Sequence, residues 1–402
     1  MKSLLPSLGL LLCSLAGAAE PSSELDKIAA SLSSRPQLDV TGEQAHFMPR
    51  DATVAHQFDT FHMKFDRPTK RFRLSYSRFQ NQSLRIDVEA WGTLDCLNML
   101  RKDTTPPGLI LPKMQTCVNL SYLYSMLSEN SQGYAPQLTM LGEIESQMIA
   151  HDVNSPHMRL EVARRPGAIV LTGTYDNIPH HVWHYWLDAA GTALQHFDVD
   201  NDGERVRANY RHGVASFAAN DFDYTADAET VALVAFAKDP KAARGTVQEL
   251  ADRGSLAAKL QLKFTDPNVS AMAWGAPVES PELAWKNSTE LGELGMPGMY
   301  TYQGQVLARM PPTGVQLLPK RFQGMSMEKR KLEARKLVWK GAQGCDPTAI
   351  QEARDGLLRG SDIFDPNALK LTELESIKHQ CDQRMTAPEL SKAASRFADP
   401  WP

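Results

Sequence analysis

The sequence lacks the short motifs that mark the common enzyme classes. No Gly-x-Ser-x-Gly nucleophile elbow, phosphate-binding loop, dinucleotide fingerprint, His-Glu-x-x-His helix or paired Cys-x-x-Cys is present. An excess of one charge is also missing, since the formal net charge is −4. The apolar run at 4–15 is too short to span a bilayer, and no later run is long enough either. These absences favour a protein without a nucleophile-based activity, a cofactor, a nucleic-acid partner or a membrane-spanning segment.

The start of the chain has the composition of a secretory signal peptide. A single basic residue, Lys2, precedes the apolar run at 4–15, and small residues follow at 16–19. We therefore predict a signal peptide over 1–19, with cleavage near Ala18 or Ala19. The mature chain is expected to be periplasmic or secreted.

Cysteine is scarce, and removing the predicted signal leaves four: Cys96, Cys117, Cys345 and Cys381. An even number in an exported protein predicts disulfides, and proximity favours Cys96–Cys117 and Cys345–Cys381. Cys345 stands just before a predicted helix and Cys381 at the end of the next, so an antiparallel hairpin would bring the two sulfurs together. Four buried thiols are the alternative.

Residues 157–213 alternate between apolar and polar side chains, as strands with one dry face do. Val206, Ala208 and Tyr210 alternate with arginines and Asn209, and Asp202-Gly203 is typical of a hairpin turn. Residues 72–90 alternate in the same way, so both runs are expected in one antiparallel sheet. Between them, about 94–150, helical spacing at 120–127 predicts a helical insertion, which Cys96–Cys117 would tie to the preceding strand.

Beyond residue 225 the alternation ends and helix signals take over. Asp239-Pro240, Asp346-Pro347 and Asp365-Pro366 each place a capping carboxylate before a proline. Helices are predicted at 228–238, 240–253, 327–340, 347–359, 366–382 and 387–397. Between 264 and 322 only a strand at 300–307 is predicted. The fold class is thus α+β, with an antiparallel curved sheet at 20–225 and a mainly helical domain at 226–402.

This order of elements resembles the LolA-like periplasmic half-barrel family. The hairpin at 182–191, with Trp186, Asp188 and Gly191 in a W-x-D-x-x-G pattern, is similar to one late in such sheets. The resemblance implies a carrier that holds an apolar or lipid-like ligand between the sheet and covering helices. The predicted groove is lined by Trp183, Tyr185, Leu187, Val206, Ala208 and Tyr210.

The helical half is similar to tetratricopeptide-like helical hairpins, on Ala334-Arg335-Lys336-Leu337 and Gly341-Ala342-Gln343-Gly344. That resemblance implies a protein partner. Residues 320–340 carry eight Lys or Arg against two Glu. A basic helix of this kind docks on anionic lipid or an acidic partner, or else is a solvated face of a packed helix.

Two clusters support an alternative function. His180, His181 and His184 form the densest histidine group, and His180 and His184 share one strand face, as ligands of a metal-dependent envelope hydrolase would. Asp198, Asp200 and Asp202 copy the first half of a calcium loop, although the twelfth position lacks a glutamate. The structural alternatives are a pleated histidine-rich surface and a simple hairpin turn.

Overall fold

The structure is a computed structural model of the chain. It describes residues 30–32, 34–48, 55–80, 85–105, 109–128, 158–213, 216–266, 269, 280–385 and 388–397. The predicted signal peptide and its cleavage site lie outside these residues.

Eleven strands form one antiparallel sheet in the order β6-β5-β4-β3-β2-β1-β11-β10-β9-β8-β7. The strands are β1 (Gln37–Phe47), β2 (Gln57–Asp66), β3 (Arg71–Gln80), β4 (Arg85–Thr93), β5 (Cys96–Thr105), β6 (Leu109–Val118), β7 (Met158–Arg165), β8 (Ala168–Tyr175), β9 (Ile178–Asp188), β10 (Leu194–Asn201) and β11 (Glu204–His212). The first strand pairs with the last, for example Gly42 with Tyr210. The expectation that both alternating runs share one sheet is therefore confirmed.

The strands alternate in burial because one face of this open curved sheet covers a single large core. On β11, Val206, Ala208 and Tyr210 are buried, and the residues between them are more exposed. We call the face that carries this core the inner face. The opposite side of the sheet is the outer face.

The prediction that a helical insertion begins at about residue 94 is wrong. The paired strands β5 and β6 come first, and the helix α1 (Leu120–Ser128) starts only after them. Both faces of β5 are buried where Met99 and Leu100 stand next to each other, which breaks the alternation that signals a strand. The helical spacing at 120–127 is confirmed, with Leu123 and Leu127 buried.

Helices dominate after β11. They are α2 (Ala228–Lys238), α3 (Pro240–Asp252), α4 (Leu256–Phe264), α5 (Pro281–Glu293), α6 (Gly298–Arg309), α7 (Met327–Gln343), α8 (Pro347–Arg359), α9 (Ala368–Met385) and α10 (Pro388–Arg396), with a short helix at Lys320–Gln323. Asp239 and Asp346 cap α3 and α8 through backbone N–H groups, as predicted. The predicted strand at 300–307 is wrong, because these residues belong to α6. No helix among those described is both long and apolar enough to cross a membrane.

The helices make several small cores instead of one. The helices α2, α3 and α4 enclose Leu233, Phe236 and Val247. A second core contains buried residues from α5 to α9, including Leu307, Val338 and Phe364. The last helix, α10, leaves this group and packs Leu390 and its neighbours on the sheet beside Phe58. The end of the chain therefore covers part of the outer face, a long-range contact that no local pattern predicts.

Both predicted disulfides are present. Cys345 and Cys381 are bonded with their Cα atoms 5.3 Å apart, and they join the start of α8 to the later part of α9. Cys96 and Cys117 are bonded with their Cα atoms 4.1 Å apart. This second bridge closes one end of the β5–β6 hairpin, so it joins two neighbouring strands and not a strand and a helical insertion.

Helices α6 and α7 touch closely at Gly304, which leads to a prediction. A Cβ at position 304 would lie 2.7 Å from Val338 Cγ2 and 2.9 Å from the Ala334 carbonyl oxygen. Gly304→Ala is therefore expected to lower the free energy of unfolding by about 1–3 kcal/mol, because the helices must separate. Gly245→Ala in α3 is the matched control. Nothing lies within 4 Å of that site, so better helix propensity should stabilise by roughly 0.5–1 kcal/mol. Urea unfolding measures the change in the free energy of unfolding for both variants. A change of the same sign in the two variants would contradict the prediction.

Candidate functional site

The inner face is the candidate site because it gathers the largest apolar surface of the sheet. Its core cluster includes residues from β1 to β5 and from β8 to β11, together with Leu32, Leu94 and three leucines of α1. Apart from Leu32 and Leu94, every described buried member lies on a strand or on α1. Within the described residues, the curved sheet and the short helix α1 packed on it have the form of a half-barrel that is lined by apolar side chains.

The six residues predicted to line a groove all face this core. Trp183, Leu187, Val206, Ala208 and Tyr210 are buried, and Tyr185 is partly buried against them. The ring of Tyr185 lies 5.1 Å from that of Trp183 and 4.9 Å from that of Phe197, measured between centroids. The structure thus places the six on the same face of β9 and β11, which are separated by β10, in one aromatic-rich region. Ligand binding by this region stays a prediction.

Two glycines let aromatic rings lie flat on this part of the sheet. A Cβ at Gly173 would meet the indole of Trp183 at 2.0 Å, and one at Gly42 would meet the ring of Phe61 at 2.3 Å. The rings therefore cover the strand backbone where no side chain stands. The ring centroid of Phe61 lies 5.9 Å from that of Tyr210 on the other side of β1.

One end of the inner face is polar, which the sequence analysis missed. On β1, β2 and β3, Gln44, His46, Gln57, Asp59 and Arg78 take positions that the strand alternation assigns to the dry side. Arg78 Nε lies 3.2 Å from Asp59 Oδ1, and both side chains are only 3% exposed. A polar residue at an inward position of an otherwise apolar strand was the available signal.

This polar end is linked to the covering helix. Gln57 donates to both oxygens of Asp59, at 3.1 and 3.0 Å, and Arg78 donates through Nη2 to the Leu127 carbonyl oxygen in the last turn of α1. Burial lowers the pKa of Arg78, but Asp59 and Tyr76 beside it outweigh this and raise the pKa overall. The guanidinium therefore stays charged inside the core and holds the end of α1.

Next to this ion pair, buried polar atoms face the same region. His46 Nε2 lies 2.6 Å from Glu204 Oε1. Within the described residues, His46 Nδ1 and Gln44 Oε1 have no hydrogen-bond partner, although both side chains are almost fully buried. Burial, and then the proximity of His46, lowers the pKa of His56. The arrangement provides donors and acceptors at one end of an apolar lining, which suits a ligand with a polar end.

The structure does not assemble the alternative metal sites. His184 Nδ1 lies 3.7 Å from Asp198, whereas His196 Nδ1 pairs with Asn209 at 2.8 Å and the ring of His181 packs on Tyr175. Across the part of the chain that the structure describes, no group of three or more His, Cys, Asp or Glu side chains could hold a metal ion. The hydrolase hypothesis built on His180, His181 and His184 therefore has no structural support.

The predicted calcium residues form a hairpin turn. Asp200 accepts hydrogen bonds from the Gly203 N–H at 2.9 Å and from Arg205 Nε at 2.8 Å, and Asp198 pairs with Arg207 at 3.3 Å. Asp202 and Gly203 both have positive φ, as a two-residue type I′ turn requires. A simple hairpin turn, which was the alternative to a calcium site, therefore explains the spacing of these aspartates.

These features define the class of the protein: an open antiparallel half-barrel followed by a helical region. Comparison with protein-family models and with curated proteins finds no match. Among solved structures, the chain is similar to MucB in complex with MucA(peri), at 12% identity over 50% of this chain and 58% of that chain, with a TM-score of 0.27. A MucA/MucB complex from Pseudomonas aeruginosa gives 11% identity over 50% and 59%, with a TM-score of 0.23.

A β-barrel-like protein of the domain of unknown function DUF1849 from Brucella abortus gives 6% identity over 44% of this chain and 95% of that chain, with a TM-score of 0.22. The aligned part thus spans less than two thirds of the MucB chains but nearly all of the Brucella abortus chain. TM-scores this low do not establish a common fold. The fold class therefore rests on the strand order and on the shared core.

Proposed function

We propose that the protein is an exported, non-enzymatic binding or carrier protein, whose half-barrel at 20–225 holds an apolar or lipid-like ligand. The observation that carries the proposal is the inner face, where an aromatic-rich apolar lining ends in a buried polar cluster. Apolar surface favours an acyl or similar chain, and the polar cluster favours one polar end. In the same proposal the helical region, 226–402, contacts a protein partner.

The compartment is part of the proposal. Two disulfides are consistent with an oxidising environment, since reducing compartments keep thiols free. Together with the signal-like composition of the first residues, they support a periplasmic or secreted protein.

Native mass spectrometry of the purified mature chain, followed by organic extraction, tests the ligand. We expect a mass above that of the polypeptide and an extracted molecule with an alkyl or similarly apolar body. If the purified protein carries no ligand, and a hydrophobic fluorescent probe also fails to bind, the carrier proposal is wrong. The sheet would then be purely structural.

A charge on the inner face should disturb this binding. Tyr185→Glu is expected to weaken retention of the hydrophobic probe by about tenfold or more, because an unpaired carboxylate in a dry site is costly. Thr174→Glu is the control, since Thr174 lies on the outer face of the neighbouring strand β8. Probe titration measures both variants, and circular dichroism checks that each is folded. Equal affinity in a folded Tyr185→Glu variant would count against a ligand site there.

A further inference from the structure

The helical region contains a pocket that is separate from the half-barrel. It lies between α7, α8 and the start of α9, and its cavity has a volume of about 420 Å³. Trp339, Leu357 and Phe364 form its apolar lining, and the rings of Trp339 and Phe364 lie 6.5 Å apart between centroids. A cavity of this size and lining accepts one or two large apolar side chains.

Cations surround this pocket. Arg335, Lys336 and Lys370 line it together with one carboxylate, Asp365. Lys370 Nζ lies 5.1 Å from the centroid of the Trp339 ring, so a positive charge stands directly over the aromatic lining. Arg335 donates to the Ile363 carbonyl oxygen and to Asp365, which holds its guanidinium at the rim.

The pocket also has exposed apolar neighbours. Leu369, in the first turn of α9 beside the rim residue Lys370, is 86% exposed. Leu332 is 52% exposed, and it precedes Lys336 and Trp339 at the spacing that places residues on one side of α7. Large apolar side chains that remain exposed around a concave aromatic pocket are typical of an interaction surface.

The charge of this surface decides which partner fits. The residues that line it carry three cations, Arg335, Lys336 and Lys370, against one carboxylate, Asp365, in a chain whose net charge is −4. Lys336 and Lys370 have local partners, Glu333 and Glu373, but these pairs are solvent-exposed and exchange readily for a partner's carboxylates. Positive charge around an apolar pocket is complementary to an acidic segment that carries an apolar anchor.

We propose that this pocket docks an acidic segment of a partner protein, with a Leu, Phe or Trp side chain inserted against the rings of Trp339 and Phe364 that line it. The concave aromatic lining favours a peptide over a lipid surface, because a cavity of this size encloses an inserted side chain, which a flat membrane surface does not supply. The proposal deepens the partner-binding part of the proposed function and is independent of the ligand in the half-barrel.

Selection from a random peptide-display library on the full mature chain tests the proposal. The bound pool is then compared with the pool retained by a Lys336→Glu/Leu369→Asp/Lys370→Glu variant. We expect the wild-type protein to enrich peptides with Asp or Glu next to Leu, Phe or Trp. The affinity of one such synthetic peptide should fall by about tenfold or more in the variant, and it should also fall with added salt.

Val231→Asp/Lys238→Glu/Lys241→Glu is the matched control, because it makes the same three kinds of change, and the same change in net charge, at exposed positions on α2 and α3. We expect it to bind the peptide as the wild type does. Enrichment of neutral or basic peptides, or no enrichment, would overturn the proposal. Equal binding by the triple variant would show that this pocket is the wrong surface, while partner binding elsewhere on the helices would stand. Binding to phosphatidylglycerol vesicles without any peptide binding would instead identify a lipid surface.

Discussion

Replacing Asp59 by Asn is expected to lower the free energy of unfolding by about 3–5 kcal/mol, because Arg78 would keep its charge inside the core without a counter-charge. The two side chains are both 3% exposed and in direct contact. Since Arg78 also holds the carbonyl end of α1, amide hydrogen exchange in α1 should become faster in this variant. Urea unfolding and hydrogen exchange measure the two effects.

Two controls separate the buried charge from the loss of an ordinary ion pair. Asp95→Asn removes the partner of Lys70 in a pair that is more than half exposed on both sides, and we expect a change of about 0–1 kcal/mol. Asp59→Asn/Arg78→Met removes both charges, so it should recover part of the loss. A loss below about 1 kcal/mol for Asp59→Asn alone would contradict the interpretation of a dry ion pair.

Removing the Cys345–Cys381 bridge should have a similarly large effect. The bridge closes a loop with a sequence separation of 36 residues, so Cys345→Ala/Cys381→Ala is expected to destabilise the helical region by about 3–4 kcal/mol. Most of this loss comes from greater freedom of the unfolded chain. Thermal unfolding followed by tryptophan fluorescence is a suitable measurement, because Trp285 and Trp339 lie in the core that this hairpin completes.

The corresponding variant of the other bridge tests whether the two parts of the molecule unfold together. Cys96→Ala/Cys117→Ala opens the β5–β6 hairpin, far along the chain from α8 and α9. If both double variants lower a single transition by the same amount, the sheet and the helices are one cooperative unit. Separate transitions would support the predicted division near residue 225.

A stability change under about 1 kcal/mol for Cys345→Ala/Cys381→Ala would contradict the expected role of the Cys345–Cys381 bridge.

Local patterns in the sequence predicted many of the elements. The alternation on β3, β4 and β11 marks strands because side chains on a strand point to opposite faces in turn. The helices α3 and α8 begin where the capping residues Asp239 and Asp346 indicate. The turn at Asp202-Gly203 was also predicted, since both of its residues have positive φ and Asp-Gly is favoured at such positions.

Other elements were missed because their stability comes from packing. The helix α6 contains Tyr300, Thr301 and Tyr302, residue types with strand propensity, which suggested a strand. It is a helix because Gly304 and its buried neighbours lie against α7. The β5–β6 hairpin was missed for a related reason, since Met99 and Leu100 are buried on opposite faces of β5 and hide its period.

The candidate site was predicted in part. The sequence identified the aromatic strands β9 and β11, whose inward residues share the core, from alternation alone. It did not identify the buried Asp59–Arg78 pair or the Gln44 and His46 positions, because the burial of polar side chains at this end of the inner face depends on the strand register and on α1. Nor did it identify the helical pocket, whose lining comes from three helices that meet only in the folded chain.

By itself the sequence determined the periodic elements, their caps and turns, and the pairing of cysteines close along the chain, since each depends on residues within a few turns of one another. Only the tertiary structure decided that β1 lies beside β11, that α10 covers the outer face, and that a charged pair is buried beneath α1. These contacts join residues far apart along the chain. Their stability comes from removing apolar surface from water over the whole assembled core, and no short stretch of sequence carries that information.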